Sequence, residues 1–325
     1  MRTPLEGCRG WLVCLVLSVA CAGVACAGAR DNDKSPAPVP TSEDTRAPTS
    51  GAVADSTPRR PAEDFERHAQ KVRERIAKLA PKSTFHVVVE RPFVVIGDEP
   101  AATVRRRASR TVRWSVQRLQ EAYFPREPDD IIEIWLFGDA NSYMRNAKRF
   151  FNDTPDTPYG YYSPSHRALI MNIATGGGTL IHEIVHPFMR SNFRACPAWF
   201  NEGMGSLYEQ ASERDGDIIG LTNWRLAGLQ DALRANRVPS FETLMATTDE
   251  EFYEQDPGSN YAQARYLMYY LQEKGLLHDY YRQYVANAAS DPTGYQTLQK
   301  ILQEDDMDAF FATWKRYVLG LEFRR

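Results

Sequence analysis

Gly176-Gly-Gly-Thr-Leu-Ile-His182-Glu183-Ile-Val-His186 is the stretch whose reading decides the fold. Its glycines suit a loop that delivers the chain into a helix, and the apolar residues after them keep helical spacing. On an α-helix His182 and His186, four residues apart, project from one face. Glu183 follows the first histidine, where its carboxylate reaches a water on a metal held by the two rings. Two neutral imidazoles chelate Zn²⁺ without cancelling its Lewis acidity, and an adjacent carboxylate accepts the proton of an activated water. The plain alternative is an amphipathic helix with core or surface histidines. With only six histidines in 325 residues, the spacing favours the metal.

Working outward, the composition is that of a globular chain, 43% hydrophobic and 25% charged. A net charge of −3 advertises no nucleic acid. The basic run Arg105-Arg-Arg-Ala-Ser-Arg110 falls mostly between Val104, Ala108, Val112, Val116, Leu119 and Tyr123, which recur at helical spacing, so it reads as a solvated helix face. Residues 1–29 carry Arg2 and Arg9 ahead of the apolar run Trp11–Ala20, the layout of a secretory signal. Leu17-Ser-Val-Ala-Cys21 resembles a bacterial lipobox, with Cys26 a poorer second site and ordinary cleavage after Ala27 or Ala29 the alternative. The expectation is export to a bacterial envelope, with a lipid anchor at Cys21 as the only membrane attachment. Four of five cysteines lie in this leader, so Cys196 has no internal disulfide partner; it reads as a small buried hydrophobe rather than a thiolate ligand.

Residues 30–61, rich in Pro, Ser, Thr and Ala without apolar periodicity, read as a disordered linker. The folded domain is expected over 62–325, as an α/β lobe to about 178 and a helical lobe from about 179. Ala62–Leu79 reads as a helix, Phe85–Glu90 and Pro92–Gly97 as strands, Thr103–Phe124 as a long helix, Ile131–Phe137 as a strand and Ala140–Phe151 as a helix. Tyr159–Tyr162, Ser163–His166 and Arg167–Ile173 read as strand, turn, strand, with Ala168–Ile173 the expected sheet edge for an extended peptide. Helices are expected at 179–190, 198–211, 222–236, 260–274, 276–288, 293–303 and 307–319, with almost no strand after Thr179. Pro187 should kink or end the first of these near His186.

A catalytic zinc needs a third protein ligand. Downstream stands Cys196-Pro-Ala-Trp199-Phe-Asn-Glu202-Gly-Met-Gly-Ser-Leu-Tyr-Glu209, where Pro197 suits a helix start and Glu202 falls near it. Glu209 lies two turns on along a similar face and stays open as an alternative ligand, though beside Tyr208 it reads rather as a carboxylate orienting a ligand or a plain surface one. With Trp199-Phe-Asn-Glu202-Gly203 placed after His-Glu-x-x-His, the chain resembles the gluzincin metallopeptidases of the peptidase-MA-like group. The resemblance implies a zincin-like α+β fold: an N-terminal mixed sheet with helices, the active-site helix at the join and an all-helical C-terminal lobe. It implies Zn²⁺ on His182, His186 and Glu202, with Glu183 as general base. The family often has an acidic residue one turn after its glutamate; here that position is Ser206, so the support must come from elsewhere. A Tyr or His usually faces the oxyanion. Tyr261, starting a helix like the family's distal one, is the expected residue, and His166 a weaker one.

These readings imply peptide-bond hydrolysis, with a peptide or protein as substrate. Two other functions compete: a degenerate peptidase fold serving as an envelope scaffold, and a zinc amidase acting on cell-wall peptide. Glu183 argues against the scaffold, since a purely structural zinc site has no use for that carboxylate.

Overall fold

The computed structural model describes residues 60–254 and 259–323. The leader with Cys21 and Cys26, and all but the last two residues of the expected linker, lie outside them.

Helix α1 (Ala62–Leu79) matches its expected bounds and buries Phe65, Ala69, Val72 and Ile76, one stripe at helical spacing. Beneath it lies a five-stranded mixed sheet of β1 (His86–Glu90), β2 (Phe93–Gly97), β3 (Ile132–Phe137), β4 (Gly160–Ser163) and β5 (Ala168–Asn172), in the order β1-β2-β3-β5-β4. The central β2, β3 and β5 are parallel, and β1 and β4 pair antiparallel at the two edges. The expected edge at Ala168–Ile173 is therefore wrong. The turn at 164–167 folds β4 back onto the one side of β5 that β3 leaves open, so β4 is the edge.

Period-two alternation divides the strand residues between two cores. Val94, Ile96, Trp135, Phe137 and Ile170 pack with α1 and α4 (Ala140–Phe151). Phe93, Val95, Ile134, Leu136, Leu169 and Met171 face the other way, into the larger core that continues through the C-terminal half. A sheet covered on both faces reads as near-continuous apolar runs, which is why these strands were legible.

The expected helix 103–124 is α2 (Ala101–Arg107) and α3 (Trp114–Ala122) joined without a break by a π-helical segment, Ala108–Arg113. Val104, Ala108, Val112 and Val116 are four apart, and each such step drifts about 40° round an α-helix. The wider π turn takes up that drift, and all four stay buried. Arg105, Arg106 and Arg110 are exposed, as a solvated face requires.

The second half begins with α5 (Gly178–Asn192) and α6 (Ala198–Leu207). It is not all-helical. The helix expected to reach residue 211 ends at Leu207 in a 3₁₀ turn (Tyr208–Gln210), and β6 (Ala211–Arg214) and β7 (Asp217–Gly220) form a hairpin. Asp215 and Gly216, both at positive φ, are the residues a two-residue hairpin turn needs. Then follow α7 (Arg225–Arg234), α8 (Phe241–Met245), α9 (Asp249–Glu254), α10 (Ser259–Glu273), α11 (Leu277–Asn287), α12 (Tyr295–Leu302) and α13 (Met307–Leu319). The short α8 and α9 were not foreseen. The fold class is thus α+β, with a mixed sheet and a helix-rich second half. No helix among the described residues is long and apolar enough to cross a membrane.

Candidate metal centre

Helix α5 starts where the three glycines end. A Cβ on Gly178 would lie 2.0 Å from the Glu209 carbonyl oxygen, so only glycine allows the chain after α6 to pass this close. Of the two outcomes expected at Pro187, an end is not seen: α5 runs through it to Asn192, two residues past the expected bound. The proline removes one backbone donor, and buried Phe188 and Met189 anchor the following turn in the core.

His182, His186 and Glu202 each offer a ligand atom, and these atoms lie within 4.8 Å of one another. His182 Nε2 is 3.2 Å from Glu202 Oε2, and His186 Nε2 is 3.9 Å from Glu202 Oε1. A tetrahedral zinc polyhedron with bonds near 2 Å has ligand–ligand edges of about 3.3 Å. Both ring Nε2 atoms and Glu202 Oε2 are buried without an aligned hydrogen-bond partner. Orphaned buried polar atoms are costly, and a shared cation satisfies all three at once. The residues fit a metal.

The outer ring nitrogens are held from behind. His186 Nδ1 pairs with Asn201 Oδ1 at 3.0 Å; His182 Nδ1 lies 3.4 Å from Glu209 Oε1, a charge contact without an aligned hydrogen bond. Asn201 therefore sets His186 with Nε2 toward the metal position, and Glu209 does so for His182. Glu209 is not a ligand of the group. It supplies the support that Ser206 lacks, from the 3₁₀ turn rather than from α6. Its carboxylate takes two hydrogen bonds from Arg225, at 2.8 and 2.7 Å, and one from Asn223 Nδ2 at 2.9 Å. Gly205 lets α6 approach: a Cβ there would sit 3.1 Å from the His182 ring.

Electrostatics follow from this packing. Burial pulls the pKa of His182 down, but its contacts with Glu202 and Glu209 outweigh that and raise it to about 10. Burial raises Glu202, and the charges of His186 and His182 bring it below its ordinary value. Glu209, also raised by burial, is held far below it by Arg225. Glu183 is different: burial dominates and lifts its pKa, and its Oε2 has no partner.

Two tyrosines complete the centre. Tyr253, on α9, donates its hydroxyl to Glu202 Oε1 at 2.8 Å, leaving Oε2 for a cation. Sequence reasoning missed it because α9 carries no motif. Tyr261, on α10, is buried with its hydroxyl unpartnered; burial and the Glu202 carboxylate push its pKa well above the ordinary tyrosine value. His166 is brought elsewhere: its Nδ1 meets Ser163 Oγ at 2.9 Å, and it lines a separate pocket with His68, Arg75 and Glu133. Cys196 is half-buried with its thiol toward the Pro197 carbonyl, and it is not part of the metal group.

A cleft of about 610 Å³ opens onto His182 and Glu183, bounded by Tyr159, Gly176–Gly178, Glu209 and Trp224. No protein-family model matches the chain, and no curated protein matches it.

Proposed function

We propose that this protein is a zinc-dependent peptidase of the gluzincin type, with a zincin-like fold, acting on a peptide or protein after export to the cell envelope. The observation that carries the reading is the buried, unsatisfied trio His182 Nε2, His186 Nε2 and Glu202 Oε2, with a buried free carboxylate, Glu183, facing the same cleft. A structural site explains the trio but not Glu183.

His182, His186 and Glu202 would hold the ion, which when bound supplies Lewis acidity toward a water and a scissile carbonyl. Glu183, with its affinity for protons raised by burial, takes the proton of the attacking water and returns it to the leaving amine. Tyr261 keeps its hydroxyl protonated and serves as a donor to the developing oxyanion. Tyr253 and Asn201 hold Glu202 and His186 in place.

The test is metal content and turnover of the purified chain. One zinc per chain is expected in the wild type and in Glu183→Gln, with peptide cleavage only in the wild type. A chain that binds no zinc with all three ligands intact sinks the proposal.

A further inference from the structure

Resting on the peptidase reading, we infer that Trp224 forms a preorganised subsite for a large apolar side chain of the substrate, next to the scissile bond. The ring lines the cleft that opens onto His182 and Glu183. It is 49% exposed, the only aromatic among the large hydrophobic side chains exposed in the described residues. A solvent-facing indole beside reactive groups is an apolar surface held ready for a contact.

The ring is also fixed. The Arg225 guanidinium carbon lies 4.2 Å from its centroid, and Arg225 is itself buried and clamped by two hydrogen bonds to Glu209. One face of Trp224 therefore rests on an immobile cation, and a ligand loses little freedom in ordering the other. The same guanidinium lies 5.3 Å from the Tyr261 ring, so one arginine holds the subsite wall beside the proposed oxyanion donor.

Charge selects the occupant. Arg225 and Glu209 neutralise each other, and Glu183 is the base, so no charged group of the cleft is left over for an ionic side chain. Ile181 and Ala211 line the same cleft. With those charges already engaged, the lining fits Phe or Leu and disfavours Lys or Glu, whose desolvation goes unrewarded.

Blocked hexapeptides of glycine and alanine with one variable position (Phe, Leu, Lys or Glu, placed at each site in turn) supply the probe. Binding is measured by calorimetry to the zinc-loaded, full-length Glu183→Gln chain, and cleavage by the wild type is read by mass spectrometry. Phe and Leu peptides should bind about tenfold tighter than Lys or Glu peptides at one position flanking the cut. Adding Trp224→Ala should erase that difference with zinc content unchanged, and Trp224→Phe should keep most of it. A selectivity that survives Trp224→Ala, or a preference for a charged residue, overturns the subsite alone. Zinc retained with no peptide bound or cut overturns the peptidase reading as well.

Discussion

Two histidine–carboxylate groups lie on opposite sides of the same sheet, and they are finished differently. Under α1, buried Glu133 accepts from His68 Nε2 at 2.9 Å, from Trp135 Nε1 at 2.7 Å and from the Arg75 guanidinium. Both of its oxygens are satisfied. Under α5, His182, His186 and Glu202 converge with three inner atoms orphaned, and Glu183 keeps a free oxygen. A buried polar group built for stability closes on itself, since each unmet donor or acceptor costs about 1–3 kcal/mol. One that leaves four inner atoms unmet is shaped around something else.

The widest separation between the two should come from deleting their central groups. His186→Ala is expected to abolish stoichiometric zinc, measured by atomic absorption, and with it all peptide turnover. Glu183→Gln should retain zinc and lose about 10²–10⁴-fold in rate, the usual worth of a general base. Glu133→Gln should alter neither zinc nor turnover. If it lowered zinc content, the two groups would not be independent.

Next in size is the buried pair behind His182. Arg225→Met leaves the buried Glu209 carboxylate with only Asn223 and His182 as partners, and breaking a buried pair from one side costs about 3–5 kcal/mol. Denaturant unfolding of the metal-free chain should show that loss. Glu209→Gln keeps the shape and removes the charge; it should weaken zinc binding by about 10–100-fold, as loss of an outer partner does. Competition with a fluorescent chelator measures this. Equal zinc affinity in Glu209→Gln and wild type would mean that the carboxylate does not orient the ring.

The contrast between the groups also explains what was legible in sequence. His182, Glu183, His186 and Glu202 sit in two local motifs whose spacing is set by helix geometry, so they could be found without the fold. Glu209 was legible too, as a carboxylate on the stretch that carries Glu202, but Arg225, Asn223 and Tyr253 reach the site across as many as 51 positions, and long-range pairing leaves no periodic trace. The doubly covered strands were readable from their apolar runs. The β4 edge was not, because which strand lies outermost depends on how the chain crosses over. The Asp215-Gly216 turn did leave a local signal, but the helical pattern around it masked the short strands.

A pH series sharpens the satisfied side. Burial alone would raise the pKa of Glu133, but His68, Arg75 and Trp135 bring it below its ordinary value. A depressed folded-state pKa contributes stability that is present above the unfolded value, about 4.3, and is lost as the pH falls through the folded value. Wild-type unfolding free energy should therefore drop more steeply below about pH 4.3 than that of Glu133→Gln, which has no proton to gain there. Parallel curves would mean that the carboxylate is not ionised in the folded protein.

The smallest effect is a separation of stability from metal binding at one methyl group. Gly205 lies within α6, and alanine is favoured over glycine in a helix by about 1 kcal/mol. The added Cβ would lie 3.1 Å from the His182 ring, so the ring must give by a few tenths of an ångström. Propensity and crowding oppose each other, and the net change in stability should stay within about 1 kcal/mol. Zinc affinity has no such compensation, because the displaced atom belongs to a ligand, and about a tenfold loss is expected. Gly228 in α7 is the matched control: nothing lies within 4 Å of a Cβ there, so Gly228→Ala should stabilise by up to about 1 kcal/mol with zinc affinity unchanged. If Gly205→Ala stabilised as much and bound zinc as well, the α6 backbone would not be what positions His182.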